Sequence, residues 1–312
     1  MNDIEAQVFR AISIAKGKRS AALPASIEAE CITKANAYSQ HPANSSVLNV
    51  VIFHINIPEE DSVISSIDIK QIDHHSFDYE TMIILNIRVA LWSNPNSTVF
   101  LITDENFLKG FFHDRLVIIR SLVNPKEPMY ERVLAMNAYI RSSLFTAPTV
   151  FLDSDAFLIN SPQSLFQLDF DIGLTHRDVK PQMAINEGVI YAHHRNKART
   201  KQFFDVYLSI YTALDNDNEL SKIYQNIRRW RGGQLSINGA AGGSIVYSTG
   251  ILQDPLGYSC AFLPCSRYNL SLQTYSPNDN TLYDNCLVLH FKGNRKLWIN
   301  NFSESLMKLG FC

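Results

Sequence analysis

TVFLDSD, residues 149–155, joins a short apolar run to two aspartates. The apolar run is typical of a buried central strand in a parallel sheet. Asp153 and Asp155 follow where this strand ends, and ligands of open α/β sheets bind at the carboxyl ends of strands. Two carboxylates there suit Mg²⁺ or Mn²⁺. The alternative is an Asp-Ser-Asp turn in which the carboxylates cap backbone groups.

The elements predicted before Asp153 alternate between strand and helix. Apolar runs predict strands at 47–55, 98–103 and 116–119, a short strand within 62–69, and helices at 79–92 and 128–145. This alternation predicts βαβ units and hence an α/β fold with a parallel sheet. After Asn160 two strands, 170–174 and 188–193, lie close together, which indicates a mixed edge and a more elaborate second half.

The composition restricts the class of protein. Of the 312 residues, 46% are hydrophobic, and the formal net charge is -2. A chain of this kind builds a proper core, and without a broad basic face nucleic acid is not an expected partner. Five cysteines without a C-x-x-C pair fit a reducing cytoplasm better than a disulfide framework.

The sequence has no signal-peptide pattern and no apolar run long enough to span a membrane. We therefore expect a cytoplasmic protein, and peripheral contact with the inner face of a membrane stays open. Residues 1–45 have helical spacing and are predicted to form a helical N-terminal extension, and residues 46–312 the main domain. The oligomeric state is not predicted.

A second motif, HFKGNRKLW, occupies residues 290–298 after a short apolar run. The His290 imidazole can ligate Mn²⁺ beside carboxylates. Gly293 can let backbone approach a phosphate closely, and Lys296 can place positive charge on it. The alternative is a strand that ends in a packed histidine and a solvated basic turn.

Together, D-x-D after a central strand and a late H-x-x-G-x-x-K resemble the glycosyltransferases of the GT-A fold. The likeness is closest to the retaining family of glycogenin and the bacterial lipopolysaccharide galactosyltransferases. That family has H-x-x-G-x-x-K-P-W near its C-terminus. His290, Gly293, Lys296 and Trp298 match this signature, while Leu297 replaces the proline.

The resemblance implies a Rossmann-like, mixed, mostly parallel sheet flanked by helices. It also implies a metal site of Asp153, Asp155 and His290 that holds Mn²⁺ (or Mg²⁺) and, through it, the diphosphate of a nucleotide-sugar donor. The donor is expected to be a UDP-sugar, with Lys296 on its diphosphate. The implied reaction is sugar transfer to a saccharide or glycolipid hydroxyl with retention, as in polysaccharide biosynthesis.

Further residues are assigned only through this resemblance. Asn186 and Gly188 match an Asn-x-Gly that borders the donor sugar. Asn56 and Tyr79 are candidates for the uracil site, although the long 57–77 segment makes that alignment loose. A basic residue on the helix before the D-x-D strand corresponds to Arg132 or Arg141.

One departure from the family concerns the helix that faces the sugar's reactive carbon. The family begins this helix with Asp-Gln, and this chain has Gly233 and Gln234. Gln234 is therefore predicted to be the polar side chain nearest the reactive carbon, with Asp155 acting in catalysis from the metal site. Because an amide is a poor nucleophile, front-face attack assisted by the leaving phosphate is preferred to a covalent intermediate.

Two other functions stay open at this point. A phosphohydrolase of the haloacid dehalogenase type would use Asp153 as its nucleophile, although such enzymes place D-x-D near the start of the domain and have no use for the His290 motif. A catalytically decayed nucleotide-sugar-binding module is supported only by Gly233. The basic run 222–231 is interpreted as a solvated helix face, with a lid over the diphosphate or an acceptor surface as alternatives.

Overall fold

The computed structural model describes residues 3–42, 46–56, 78–104, 107–177, 184–223, 232–242, 250–272 and 285–308. Within these residues an eight-stranded sheet has the order β3-β2-β1-β4-β7-β6-β9-β8, and a second sheet pairs β5 with β10. The strands are β1 Leu48–His54, β2 Ser97–Thr103, β3 Leu116–Arg120, β4 Thr149–Leu152, β5 Ala156–Leu158, β6 Ile172–His176, β7 Ile185–Ala192, β8 Gly250–Gln253, β9 Ser259–Pro264 and β10 Val288–His290.

The sheet is mixed, with its first half parallel. Strands β3, β2, β1 and β4 run parallel to one another, and β7 lies antiparallel to β4. Leu152 is level with Ile52 of β1 and Val189 of β7, so β4 is an interior strand, and all four of its side chains are buried. The predicted fold class and the predicted interior position of this strand are confirmed.

Helices cover both faces of the sheet. They are α1 Asp3–Gly17, α2 Ala25–Tyr38, α3 Tyr79–Ser93, α4 Pro128–Arg141, α5 Lys197–Asp215, α6 Asn218–Ser221, α7 Gly232–Ala240, α8 Cys265–Tyr268 and α9 Ile299–Lys308. Alternate side chains of one strand enter different cores, because successive residues of a strand face opposite sides. Phe151 packs in the core that contains α4 and α5, whereas Val150 and Leu152 pack with α3, β5 and α9.

The local sequence explains several helix starts. Asp78 accepts a hydrogen bond from the backbone N–H of Thr81 and so caps α3, and Asn196 caps α5 in the same way. Pro128 occupies the first turn of α4, where its missing N–H costs no hydrogen bond. The predicted helix 128–145 ends earlier, at Arg141, where Ser142 adopts an extended conformation.

The N-terminal helices add a layer to the same core. Ala11 and Ala15 of α1 and Cys31, Ala35 and Tyr38 of α2 belong to the buried cluster that includes α4, α5 and α7. The helices expected in residues 1–45 are therefore present, while the division at residue 45 stays a prediction. The strand expected within 62–69 lies outside the described residues. In the described part of the chain, no helix has the length and apolar character needed to cross a membrane.

Candidate metal and diphosphate site

The D-x-D motif forms a tight turn at the end of β4. The backbone N–H of Ala156 donates to the carbonyl of Asp153 over 3.0 Å, and β5 begins at Ala156. Asn86, fully buried on α3, donates from Nδ2 to the carbonyls of Ser154 and Ala156, at 3.0 Å each. These hydrogen bonds hold the backbone of the turn in place, so the side chains of Asp153 and Asp155 project from a fixed backbone.

Pairing of β10 with β5 brings the C-terminal motif to this turn. His290 is opposite Ala156 in the antiparallel ladder, and the N–H of Phe291 donates to the carbonyl of Asp155 over 2.9 Å. Nε2 of His290 then lies 3.0 Å from Oδ1 of Asp155 and 3.7 Å from Oδ2 of Asp153. One ligand atom from each of these residues falls within 4.8 Å of the others, so the three side chains could hold a metal ion.

The protonation of His290 is set by Asn269. Nδ1 of His290 lies 2.8 Å from Oδ1 of Asn269. The amide nitrogen of Asn269 donates to Thr175 and to Asn186. These two hydrogen bonds determine the orientation of the amide, so its oxygen is the atom that faces Nδ1 of His290. Nδ1 must therefore carry the proton, and in the neutral ring the Nε2 lone pair faces the two carboxylates.

That arrangement calls for a cation between the groups. A lone pair facing a carboxylate at 3.0 Å is repulsive unless a proton or a metal ion lies between them. Burial, helped by the nearby Lys292 charge, lowers the pKa of His290 although Asp155 acts in the opposite direction. The donor set of two carboxylates and one neutral imidazole fits a divalent transition ion. The side chain of Asp153 is 27% exposed, against 3% for His290, so the site opens to solvent beside Asp153.

Gly188 leaves room for the side chains of His290 and Asp153 to lie close together. Its carbonyl accepts the N–H of Asp153 over 2.8 Å, and its own N–H donates to Oδ1 of Asn186 over 3.0 Å. A Cβ atom at position 188 would lie 2.3 Å from Cε1 of His290 and 2.6 Å from Oδ2 of Asp153. No larger residue fits there without moving a predicted metal ligand.

Lys296 adds positive charge to the same group. Gly293 begins a 3₁₀ helix, Gly293–Trp298, with a φ of 55°, a backbone conformation that favours glycine. The helix carries Nζ of Lys296 to 3.3 Å from Oδ2 of Asp155. Although burial favours the neutral amine, the Asp155 charge raises the pKa of Lys296. In turn, the Lys296 charge outweighs burial and holds the pKa of Asp155 well below its usual range.

Of the two basic residues considered on α4, Arg132 reaches this site. Its guanidinium is buried, with Nη2 3.0 Å from Oδ1 of Asp153 and donating over 2.9 Å to the carbonyl of Glu187. Arg141 instead lies 2.6 Å from Asp205 on α5. Because they are about two and a half turns apart on α4, the two side chains point to opposite sides of the helix.

The two candidates for nucleobase contact lie at the end of β1 and the start of α3. The ring of Tyr79 stacks on His54 with 5.7 Å between centroids, and Nζ of Lys296 lies 5.4 Å from the Tyr79 centroid. Asn56 donates its backbone N–H to Oδ2 of Asp104 over 2.8 Å. Tyr79 is therefore joined to the predicted metal ligands through Lys296.

Gln234 lies in the first turn of α7, and its side-chain amide donates to the carbonyl of Ile185 on β7. No hydrogen bond or ion pair of the described residues connects Gln234 directly with Asp153, Asp155 or His290. The predicted role of Gln234 at the reactive carbon therefore stays a prediction. Most of the basic run 222–231 lies outside the described residues, so its role also stays open.

Sequence reasoning missed three supporting residues. Asn86 was detectable as a lone amide within the apolar segment Met82–Val89, whereas nothing near Asn269 in the sequence marks it as the partner of His290. Glu187 is the middle residue of the Asn-x-Gly segment, and the sequence alone assigned no function to it. Its carboxylate is buried, accepts a hydrogen bond from the Tyr207 hydroxyl over 2.9 Å, and lies 3.9 Å from Arg132.

The fold and site therefore define an α/β protein with a carboxylate–imidazole site at the carboxyl ends of its central strands. No protein-family model matches the chain, and no curated protein matches its sequence. Solved structures do match in the arrangement of the chain, at identities near 12%.

A galactosyltransferase, LgtC, solved with donor and acceptor sugar analogues, has a TM-score of 0.49 and 12% identity, over 83% of this chain and 95% of its own. The bifunctional glycosyltransferase WbbM has a TM-score of 0.47 and 12% identity, over 85% of this chain and 50% of its own. The glycosyltransferase GlyE of Streptococcus pneumoniae TIGR4 has a TM-score of 0.44 and 12% identity, over 86% of this chain and 64% of its own. All three of these solved structures are glycosyltransferases.

Proposed function

We propose that this protein is a metal-dependent glycosyltransferase that moves a sugar from a UDP-sugar to a hydroxyl of a saccharide or glycolipid acceptor, with retention. The observation that carries the proposal is the meeting of two motifs from distant parts of the sequence. Asp153 and Asp155 offer ligand atoms within 4.8 Å of the free nitrogen of His290, and Lys296 lies 3.3 Å from Asp155.

The group of three ligands fits Mn²⁺ or Mg²⁺, with the imidazole favouring Mn²⁺. When bound, the ion would supply positive charge that stabilises the diphosphate leaving group as the glycosidic bond breaks. Arg132 holds Asp153 from the buried side at 3.0 Å, and Asn269 holds His290 with Nε2 toward the carboxylates. Ligands oriented in this way need little rearrangement to bind an ion.

The remaining residues would bind and orient the donor. Lys296 would shift part of its interaction from Asp155 to the diphosphate and neutralise charge there. Gly188, Asn186 and Gly293 would let the donor approach backbone closely. Tyr79, which Lys296 already contacts, would cover the base, with Asn56 at its edge.

Retention requires the acceptor to arrive on the face from which the diphosphate leaves. Gln234 is the proposed polar contact of the sugar near its reactive carbon, and an amide cannot form a stable covalent intermediate there. The leaving phosphate would then take the acceptor proton, while Asp155 keeps the metal in place. The sugar identity and the acceptor are not specified by these residues.

The phosphohydrolase alternative fits the site less well. Its second aspartate must donate a proton to a leaving group, but the Lys296 charge lowers the pKa of Asp155, so that carboxyl stays ionised near neutral pH. Asp153, the nucleophile in that scheme, is held by Arg132 at 3.0 Å. No residue of the described chain favours this second function.

Calorimetry with UDP tests the proposal, in the presence of Mn²⁺, Ca²⁺ or EDTA, together with assays of UDP release from a panel of nucleotide sugars. We expect UDP to bind with Mn²⁺, more weakly with Ca²⁺, and not in EDTA. Release of UDP should occur from at least one UDP-sugar and should be lost in Asp153→Asn and Asp155→Asn. Equal UDP affinity in EDTA, or turnover of an aryl phosphate ester without UDP release, would contradict the proposal. Binding without turnover would favour the decayed binding module.

A further inference from the structure

The carboxylate of Glu187 occupies the space that a side chain at position 233 of α7 would otherwise fill. A Cβ atom at Gly233 would lie 2.2 Å from Oε2 and 3.0 Å from Cδ of Glu187. Gly233 has no left-handed backbone conformation that would require glycine. The absence of a side chain at 233 is therefore explained by the carboxylate that reaches over from β7.

The surroundings of Glu187 connect it to the metal and diphosphate site. Nη2 of Arg132 donates to the backbone carbonyl of Glu187 over 2.9 Å and lies 3.0 Å from Asp153. Gln234, the next residue after Gly233, donates to the carbonyl of Ile185, two positions before Glu187. The Glu187 carboxylate thus lies beside Arg132, which pairs with the predicted metal ligand Asp153, and beside the start of α7, which carries the proposed sugar contact Gln234.

The two oxygens of this carboxylate differ in their hydrogen bonding. Oε2 accepts from the Tyr207 hydroxyl over 2.9 Å and lies 3.9 Å from Nη1 of Arg132. Among the described residues, none donates a hydrogen bond to Oε1. A ligand hydroxyl that reached this oxygen could donate a hydrogen bond to it, and hydrogen bonds to an ionised carboxylate are stronger than those between neutral groups.

We propose that Glu187 contacts a hydroxyl of the donor sugar and supplies from β7 the acidic group that this chain lacks at position 233. The inference rests on the proposed function, because it names a further residue of the same site. With Glu187 in this role, Gly233 no longer supports a decayed binding module, because an acidic side chain reaches the same place from β7.

A purely structural role explains the arrangement less well. The close ionic partner of Arg132 is Asp153 at 3.0 Å, whereas Glu187 at 3.9 Å lies beyond hydrogen-bond distance of that guanidinium. Burial raises the pKa of Glu187 to about 7, against the smaller opposing effect of Arg132, which means that ionising this group costs free energy in the fold. A smaller residue at 187 with a side chain at 233 would fill the same volume at lower cost.

The test moves the carboxylate from position 187 on β7 to position 233 on α7. Glu187→Ala removes it and makes room at 233. Glu187→Ala/Gly233→Asp returns a carboxylate from α7, and Glu187→Ala/Gly233→Ala is the matched control without one. Each variant is assayed for Mn²⁺-dependent UDP affinity and for kcat/KM with the UDP-sugar that the wild type uses, after thermal melting has established that it folds.

We expect Glu187→Ala to keep UDP affinity within about twofold and to lose transfer by about 10- to 100-fold, the cost of one hydrogen bond to a charged group. The variant with Asp at 233 should recover at least about tenfold over the variant with Ala there. Wild-type transfer in Glu187→Ala, or equal activity of the two double variants, would overturn the inference and leave the proposed function standing.

Two further results separate the other outcomes. If Glu187→Ala does not fold, Glu187→Gln keeps the acceptor for Tyr207, and we expect it to lower transfer while UDP affinity is unchanged. Unchanged transfer in Glu187→Gln would overturn the inference. A wild type that binds no UDP with Mn²⁺ would overturn the proposed function itself, and with it this inference.

Discussion

Nε2 of His290 lies 3.0 Å from Oδ1 of Asp155, although the two residues belong to motifs in different halves of the chain. The pairing of β10 with β5 produces this contact, because it sets His290 opposite Ala156, the residue after Asp155. Asn269 orients the ring because its amide oxygen accepts a hydrogen bond from the Nδ1–H group. The contact therefore depends both on the backbone pairing of the two strands and on the side-chain hydrogen bond from His290 to Asn269.

Gly188→Ala should disrupt this contact without removing a ligand. The new Cβ atom would overlap His290 and Asp153, so one of them must move. We expect Mn²⁺ affinity to fall by about 10- to 100-fold, the usual effect of disturbing the surroundings of a metal ligand. Metal titration measures this. Gly17→Ala is the control, because a Cβ atom there meets nothing within 4 Å. Unchanged Mn²⁺ affinity in Gly188→Ala would contradict the site geometry.

Gln234→Ala should separate binding from transfer. Gln234 is proposed to contact the sugar near its reactive carbon, and it makes no described contact with Asp153, Asp155 or His290. We expect kcat to fall by about tenfold or more while KM for the donor changes little, the pattern of a lost transition-state interaction. Steady-state kinetics with the donor varied give both constants. A raised KM with unchanged kcat would assign Gln234 to ground-state binding instead.

The pH dependence of Mn²⁺ binding should reflect the buried state of His290. The imidazole must be neutral to bind metal, and burial lowers the pKa of His290 below its ordinary value of 6.5. Mn²⁺ affinity should therefore be constant through neutral pH and fall only below about pH 6.5. Titrations across this range in several buffers provide the measurement. A loss of affinity that begins well above neutral pH would show that another group controls binding.

Glu187→Gln should change the pH dependence of stability. Burial raises the pKa of Glu187 to about 7 from an ordinary 4.5. The folded wild type therefore binds more protons than the unfolded chain between these values, and its free energy of unfolding falls as pH rises through this window, by about 3 kcal/mol at most. Glutamine does not titrate. In EDTA, Tm of the variant minus Tm of the wild type should increase from about pH 5 to about pH 8. A constant difference would contradict the raised pKa.

The sequence was most informative where a motif is continuous along the chain. The apolar run of β4 and the two aspartates after it predicted an interior strand and the edge of the sheet where the site lies. The segment 290–298 predicted that an imidazole and a lysine amine, those of His290 and Lys296, lie beside these two aspartates. In both cases the chemistry and the local structure are set by neighbours in the sequence, which periodicity and spacing can detect.

The remaining parts of the site depend on contacts between distant elements. Glu187 and Gly233 fit together only because α7 packs beside β7, and neither residue alone indicates the other. Asn269 is recognised as the partner of His290 only when β10 is in place. The choice between Arg132 and Arg141 required the orientation of α4 against the sheet. Tertiary packing of this kind leaves no fixed spacing in a single sequence.

The central claim is that His290 and the two aspartates hold one metal ion that binds UDP, and His290→Ala tests it most directly. Mn²⁺ titration in the presence of UDP and thermal melting without ligand are measured on the same protein. The control is His193→Ala. His193 is also buried, and its Nε2 lies 3.1 Å from the carbonyl of Phe166, away from the site.

We predict that His290→Ala stays folded, melting earlier by no more than the usual cost of one emptied buried position, but loses Mn²⁺-dependent UDP binding by more than about a hundredfold, because a metal ligand is gone. His193→Ala should melt earlier, by the usual cost of an emptied core position, and titrate like the wild type. A His290→Ala variant that melts much earlier yet titrates Mn²⁺ and UDP like the wild type would make His290 a core residue and contradict the three-ligand site.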